Sequence, residues 1–344
     1  MAKMQKTRRK GGGLTPLAKI FMMIVVMGGI FGTMTYLKNS GKLGDIAKAL
    51  PAGKESVKVV LSPFGGYAGG PYMNNGFEPN SESRFQSEYD VKVKFVVEAD
   101  QEKSMAMWVN DEIDLHWFTI GAMSTVYNTI ASHNPVFLFQ TDWSRGGDAI
   151  VAMSGINSVT DLRGKKVAFV PNSPSHTAVL GLLKANNMSI SDIIAVETTT
   201  PFEAADKFNQ GYVHAAAVWA PDDVKCVRSK SGSKVLISTK QLTHIIADGF
   251  FVKKAKYDED PDKYNKIAEC WIRGNGEINS SSSNKAKAAN ILATGFGDGS
   301  ASDYTSAINN VRLASYGDNK NFFGLDPIYT GVTGSKLYKN VAKM

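Results

Sequence analysis

From residue 56 onward, short runs of continuous or alternating apolar residues are separated by stretches with helical spacing, and turn-forming residues punctuate the two. VKVVLS (57–62) and VKVKFVVEA (91–99) read as strands, and the Gly-rich segment PFGGYAGGPYMNNGF after the first is a loop opening toward a helix. LHWFTI then precedes AMSTVYNTIA, KKVAFV precedes SHTAVLGLLKANN, AVETTT precedes FEAADKFNQ, and AAAVWA precedes DDVKCVRS. This alternation calls for parallel strands joined by crossover helices, an α/β architecture. The pattern restarts at DLRGKKVAFV, and HIIADGFFVKK reads as a strand leaving a second unit, so two sheets are expected. From residue 261 to the end the pattern is mainly helical, with SSSSN (280–284) as a loop and helix start.

Ahead of this region lies a different kind of sequence. Residues 39–55 mix Gly, Pro, Lys and Ser, the composition of a tether. Residues 20–37, IFMMIVVMGGIFGTMTYL, carry no charge over a length that reaches the lower limit for a membrane-spanning helix. Residues 1–19 form a basic tail that the positive-inside rule keeps in the cytoplasm. The expectation is a single-pass anchor in the inner (cytoplasmic) membrane with the folded part on the periplasmic or extracellular side. A cleaved signal peptide is the rival. It is usually shorter and ends in small residues, whereas the Ala-x-Ala at Ala47 and Ala49 lies far beyond the apolar run.

Composition narrows the function. Apolar residues make up 43% and charged residues 21% of the 344, a globular balance that argues against disorder. The net charge of +7 would suggest nucleic acid if it lay on the folded part. Lys3, Lys6, Arg8, Arg9, Lys10 and Lys19 account for six of those charges, so the remainder is nearly neutral and no nucleic-acid partner is expected. Cys226 and Cys270 are the only cysteines, which excludes a disulfide scaffold and a four-cysteine zinc site. A bridge between them and two free thiols both stay open.

The segment DLRGKKVAFVPNSPSHTAVLGLLKANNMS resembles the core motif of the nitrate/sulfonate/bicarbonate type of solute-binding protein, a group that includes the taurine and thiamine-precursor binders. TDWSRGGDAIVA resembles that family's crossover from first to second lobe. FEAADKFNQGYVHAAAVWAPD resembles its strand carrying a Trp before the cleft, ADGFFVKK its return strand, and SYGDNKNFFG a late helix-and-turn motif. The resemblance implies a two-lobed Venus-flytrap fold of the type II periplasmic-binding-protein class, with residues 56–148 and 248–344 in lobe 1 and 149–247 in lobe 2. It also implies a small-molecule solute, ABC permease and ATPase subunits as partners, and neither cofactor, metal nor catalytic residues.

Ligands of open α/β sheets bind beyond the carboxyl ends of the strands, so the candidate residues lie there. Asn172, Ser173, Ser175 and His176 stand at a strand-to-helix junction, where unpaired N–H groups and the helix dipole favour an anion. Ser175 as a simple helix cap and His176 as a solvated residue are the alternatives. Trp219 is an aromatic wall or a core residue. Asp222 and Asp223 cap the next helix or meet a cation. Gly65, Gly66 and Tyr67, and Trp117, Thr119 and Gly121, occupy equivalent strand ends of the first lobe, where glycine permits close backbone approach. Ser144, Arg145 and Asp148 lie at the crossover, with Arg145 a clamp for an oxyanion or a surface residue. A small anion such as a sulfonate or nitrate is therefore the expected solute. A catalytic rival finds no G-x-S-x-G, H-E-x-x-H or Walker motif, nor the Cys-rich motif of related pyrimidine-synthesis enzymes. A membrane-tethered sensor or envelope scaffold with the same lobes is the other alternative.

Overall fold

The computed structural model describes residues 56–242 and 244–342, so the expected basic tail, anchor and tether lie outside the described residues. Among the described residues no helix is long and apolar enough to cross a membrane.

Eleven strands are found there: β1 (Val57–Leu61), β2 (Val93–Val97), β3 (His116–Thr119), β4 (Pro135–Ser144), β5 (Asp148–Ala152), β6 (Lys166–Phe169), β7 (Ile194–Glu197), β8 (Ala215–Trp219), β9 (Lys234–Ser238), β10 (Ala247–Lys253) and β11 (Val311–Leu313). They form a β1-β2 pair, a four-stranded sheet β11-β4-β10-β3 and a five-stranded sheet β7-β6-β8-β5-β9. A parallel bridge from Val59 to Leu115 continues β1 toward the four-stranded sheet. The chain leaves this first group through Arg145–Gly147, builds the five-stranded sheet, and returns between Ser238 and Ala247.

The parallel expectation holds for β1 with β2 and for β6 with β7 and β8. It fails for β5, antiparallel to β8 and β9, and for β10, antiparallel to β3 and β4. The physical reason is connectivity. β5 and β10 arrive from the other sheet rather than through a crossover helix, so nothing obliges them to run with their neighbours. β4, β5, β9 and β11 add to the strands expected from the pattern.

Burial follows the two-residue period of a strand in the second sheet. Ile150, Ala152, Val167, Ala215 and Ala217 enter one apolar cluster, while Val151, Ala168, Ala216 and Val218 enter another on the opposite face. The small side chains of AAAVW let helices cover both faces of β8. In the first group one large core gathers around the helix Pro261–Ser280, whose Trp271 lies 4.7 Å from Phe250, 5.5 Å from Phe139 and 5.7 Å from Phe95 between ring centroids. The same helix carries Asn275, whose amide donates at 3.0 Å to the carbonyls of both Thr141 and Ala314. Those bonds brace the end of β4 from which the chain departs. Cys226 and Cys270 are both buried free thiols.

Candidate functional site

Strand register brings the central residues together. Asp248 on β10 sits opposite Thr119 on one side and Asp142 on the other, and directly opposed residues share a sheet face. In the second sheet Asp148 opens β5 opposite Trp219, the last residue of β8. Only Arg145–Gly147 separate the two sheets along this path. Thr239, from the return segment, ties the crossovers: its hydroxyl lies 2.7 Å from Ser144 Oγ and accepts the Gly146 N–H at 2.7 Å.

Three buried carboxylates result. Asp248 accepts from Thr119 Oγ1 and from the Tyr67 hydroxyl at 3.3 Å. Asp142 Oδ2 accepts from Thr141 Oγ1 at 2.9 Å, whereas Asp142 Oδ1 and Asp148 Oδ2 have no hydrogen-bond partner. Burial pushes the Asp148 carboxyl up to about 7 against the pull of the Ser144 hydroxyl, with Asp248 adding repulsion. Burial likewise raises Asp248 to about 6, although its two hydroxyl donors favour the charged form. Asp142 is raised well above the usual carboxylate range by burial and then by Asp248, and Tyr67 is raised by burial and by all three carboxylates. Buried carboxyls without counter-ions favour protonation, and among the described residues these groups have none. Gly66 permits the packing, because a Cβ there would fall on the Asp142 carboxylate; one on Gly65 would strike the Ala307 backbone.

Rings from both groups of elements pack together beside this cluster, which Tyr67 reaches through its hydroxyl. Phe64, Tyr67, Trp117 and Trp219 form a closed cycle, with centroid separations of 5.6 Å (Phe64–Tyr67), 5.6 Å (Tyr67–Trp117), 5.8 Å (Trp117–Trp219) and 5.9 Å (Trp219–Phe64). Trp219 belongs by chain to the second sheet and by packing to the core of the first group. Of the two readings of it, the packing shows the core one. The Trp117 indole N–H has no partner, and its neighbour His116 is buried and held neutral, burial lowering it to about 4.

The expected anion cradle at the helix Pro174–Ala185 is already filled by the protein. Ser173 caps that helix, its hydroxyl accepting from the N–H groups of Ser175 (3.1 Å) and His176 (3.4 Å). The Asn172 N–H donates to His176 Nδ1 at 3.2 Å, and the imidazole stacks on Phe169, 5.1 Å between centroids. Ser175 Oγ faces the cleft and accepts from Trp219 Nε1 at 3.1 Å. Burial lowers the His176 pKa, so it adds no positive charge at neutral pH.

Three other candidates lie elsewhere. A Cβ on Gly121 would meet Val341 of the C-terminal helix, so its small size serves helix packing. Arg145 turns into a separate cavity of about 320 Å³ beside the crossovers, its Nη2 lying 3.0 Å from His244 Nε2 and near Arg312 and Asp318. The guanidinium is thus not a clamp in the carboxylate cluster. Asp222 stands in the first turn of the helix Asp222–Ser229 and pairs with Lys225 at 2.8 Å; no side chain caps this helix, so the expected cap is not formed. Sequence reasoning missed Asp142, Asp248, Thr239 and Phe64. A charged residue flanked by apolar ones within a buried strand, as in TDW and ADGFF, was the available signal.

Comparison with known proteins follows from this geometry. A family model described as NMT1/THI5 like matches residues 83–278, more than half of the chain. A protein of Escherichia coli (strain K12) named as an aliphatic sulfonates-binding protein is 41% identical over 68 residues, 20% of this chain and 21% of that protein. A protein of Bacillus subtilis (strain 168) with the same name is 28% identical over 127 residues, 37% of each chain. The chain thus matches a fifth to little more than a third of the length of these curated relatives. The crystal structure of the periplasmic aliphatic sulphonate binding protein SsuA from Escherichia coli superposes with a TM-score of 0.60 at 18% identity, covering 84% of this chain and 99% of that one. At that identity the likeness establishes the fold, an α/β periplasmic-binding-protein architecture.

Proposed function

The chain belongs to the NMT1/THI5-like family, and from that premise we propose that it is a solute-binding protein that takes up a small molecule between its two sheets and presents it to an ABC importer. The observation that carries the proposal is the aromatic and carboxylate cluster to which both sheets contribute, at the point where two short crossovers let one sheet move against the other. Binding sites of this kind pair apolar walls with a few placed polar groups, and the cluster has both. The Arg145–Gly147 segment and the return segment at Thr239 are the bending points, since a few loop residues suffice to absorb hinge closure. Binding and release, with no chemical step, is the activity proposed. Residues 20–37 would hold the protein on the extracytoplasmic face of the membrane.

The expected anionic solute has lost its main support, because the donors at the helix Pro174–Ala185 are engaged by Ser173 and His176. What carries forward is the cleft.

The test is a solute screen read by tryptophan emission and melting temperature together. Trp117 and Trp219 belong to the cluster proposed to receive the solute, so a solute bound there changes emission while it raises the melting temperature by mass action. Thermal stabilisation with unchanged emission would place binding elsewhere and contradict the proposal.

A further inference from the structure

We infer that the solute presents a small organic cation, an ammonium-type nitrogen, to Asp142, Asp148 and Asp248 beside the packed rings of Phe64, Tyr67, Trp117 and Trp219. This rests on the cleft being the binding site.

Four observations converge on it. First, the three carboxylates form no ion pair among the described residues, and two of their oxygens, Asp142 Oδ1 and Asp148 Oδ2, are buried with no partner. Asp142 is fully buried and Asp148 is 5% exposed, so water is not in ready reach of either. Groups so placed call for a donor or a positive charge from outside the chain.

Second, the adjacent rings are suited to a cation. Aromatic faces attract positive charge through their quadrupole, most strongly when the site is dry, and every ring of this cycle is nine-tenths or more buried. A sulfonate or nitrate would instead bring a negative charge among aromatic rings and carboxyl groups that no cation of the described residues offsets.

Third, the carboxylates are not arranged for a metal ion. Among the described residues no three His, Cys, Asp or Glu side chains are grouped closely enough to hold one. A cation with its charge spread over an organic group fits wider spacing.

Fourth, the seam between the two groups carries acidic side chains. A cavity of about 260 Å³ opens at the seam between the two groups, where Asp100 and Glu102 face Glu197 and Glu203. No lysine or arginine lines it. Clefts lined by one sign of charge concentrate ligands of the other.

The experiment uses matched probes on the full-length chain. Choline and isethionate share a two-carbon hydroxyl tail and differ in the sign of the head group, and ethanolamine and putrescine extend the cationic set. Binding is followed by tryptophan emission and calorimetry, in the wild type and in Asp148→Asn, which keeps the side-chain shape and removes the charge. The expected result is saturable binding of at least one cation, no binding of isethionate, and at least tenfold weaker cation binding in Asp148→Asn. The melting temperature of that variant without solute should be no lower than that of the wild type, which separates lost binding from lost folding. Isethionate binding that quenches the tryptophans and survives or tightens in Asp148→Asn overturns the cation and leaves the cleft standing. Emission and heat unchanged by every probe overturn the cation and count against the cleft as well. Cation binding unaltered by Asp148→Asn or by Asp142→Asn also overturns the assignment, since the charge would then be met elsewhere.

Discussion

The indole N–H of Trp219 donates to Ser175 Oγ at 3.1 Å, joining the end of β8 to the first turn of the helix Pro174–Ala185. The same ring packs edge-on against Phe64 and against Trp117 of β3, so one side chain links β8, a helix and the core of the first group.

Replacing it should therefore cost stability as well as binding. Trp219→Ala is expected to destabilise the protein by about 3–5 kcal/mol in urea titrations, the usual range for emptying an aromatic site. Trp219→Phe keeps an aromatic body but leaves the Ser175 hydroxyl without its donor, and should cost about 1–3 kcal/mol. Equal stability of Trp219→Ala and wild type would mean the ring is not packed as described.

Gly66 offers a sharper steric test. The methyl of Gly66→Ala would fall on the Asp142 carboxylate, which Thr141 holds in place. Overpacking of this kind costs about 1–3 kcal/mol. A melting temperature unchanged by Gly66→Ala would show that the loop and the carboxylate are not in contact.

The buried carboxylates give a pH dependence with a definite sign. Asp148 titrates near 7 in the folded chain against a usual value of 3.8, so between those values the folded form holds a proton that the unfolded form releases. Stability from this group is therefore complete below about 4 and is lost as pH rises toward and through 7. His116, held near 4, acts in the opposite sense, losing stability as pH falls below its ordinary 6.5. It is common to wild type and Asp148→Asn, so their difference isolates the carboxylate. Asp148→Asn should gain on the wild type by roughly 1–3 kcal/mol between pH 5 and pH 8 in solute-free urea unfolding. A constant difference would mean Asp148 is not buried uncharged.

Thr239 joins the two crossovers. Thr239→Val keeps the shape and removes the hydroxyl, leaving the Gly146 N–H and the Ser144 hydroxyl without their partner. A loss of about 1–2 kcal/mol is expected, together with faster amide hydrogen exchange across residues 144–148. Unchanged exchange there would show that the hydroxyl does not hold the crossovers.

Much of this was legible from the residues. Apolar alternation and turn chemistry marked β1, β2, β3, β6, β7, β8 and β10; the strand-end rule pointed to Tyr67, Trp117, Thr119, Ser175 and Trp219, and the crossover to Asp148, which the fold does bring together. Strand direction was not legible for β5 and β10, because it depends on which sheet the chain arrives from. Asp142 and Asp248 were missed because each lies within a strand, where local sequence does not reveal that register will place them side by side. The anion cradle at Ser173 looked plausible because a helix start shows its donors in the sequence but not their acceptors. Arg145 illustrates the same gap: proximity along the chain put it at the site, and side-chain direction took it into the cavity with His244.

Hinged closure over a guest is tested most directly by a distance across the seam. Glu102 and Thr199 are exposed and line the same cavity from opposite groups, and the native thiols Cys226 and Cys270 are buried, so cysteines at these two positions can be spin-labelled selectively. With a solute that alters tryptophan emission at saturation, the distance distribution should contract and narrow relative to the solute-free protein. An identical distribution with and without that solute would contradict closure of the two groups around it.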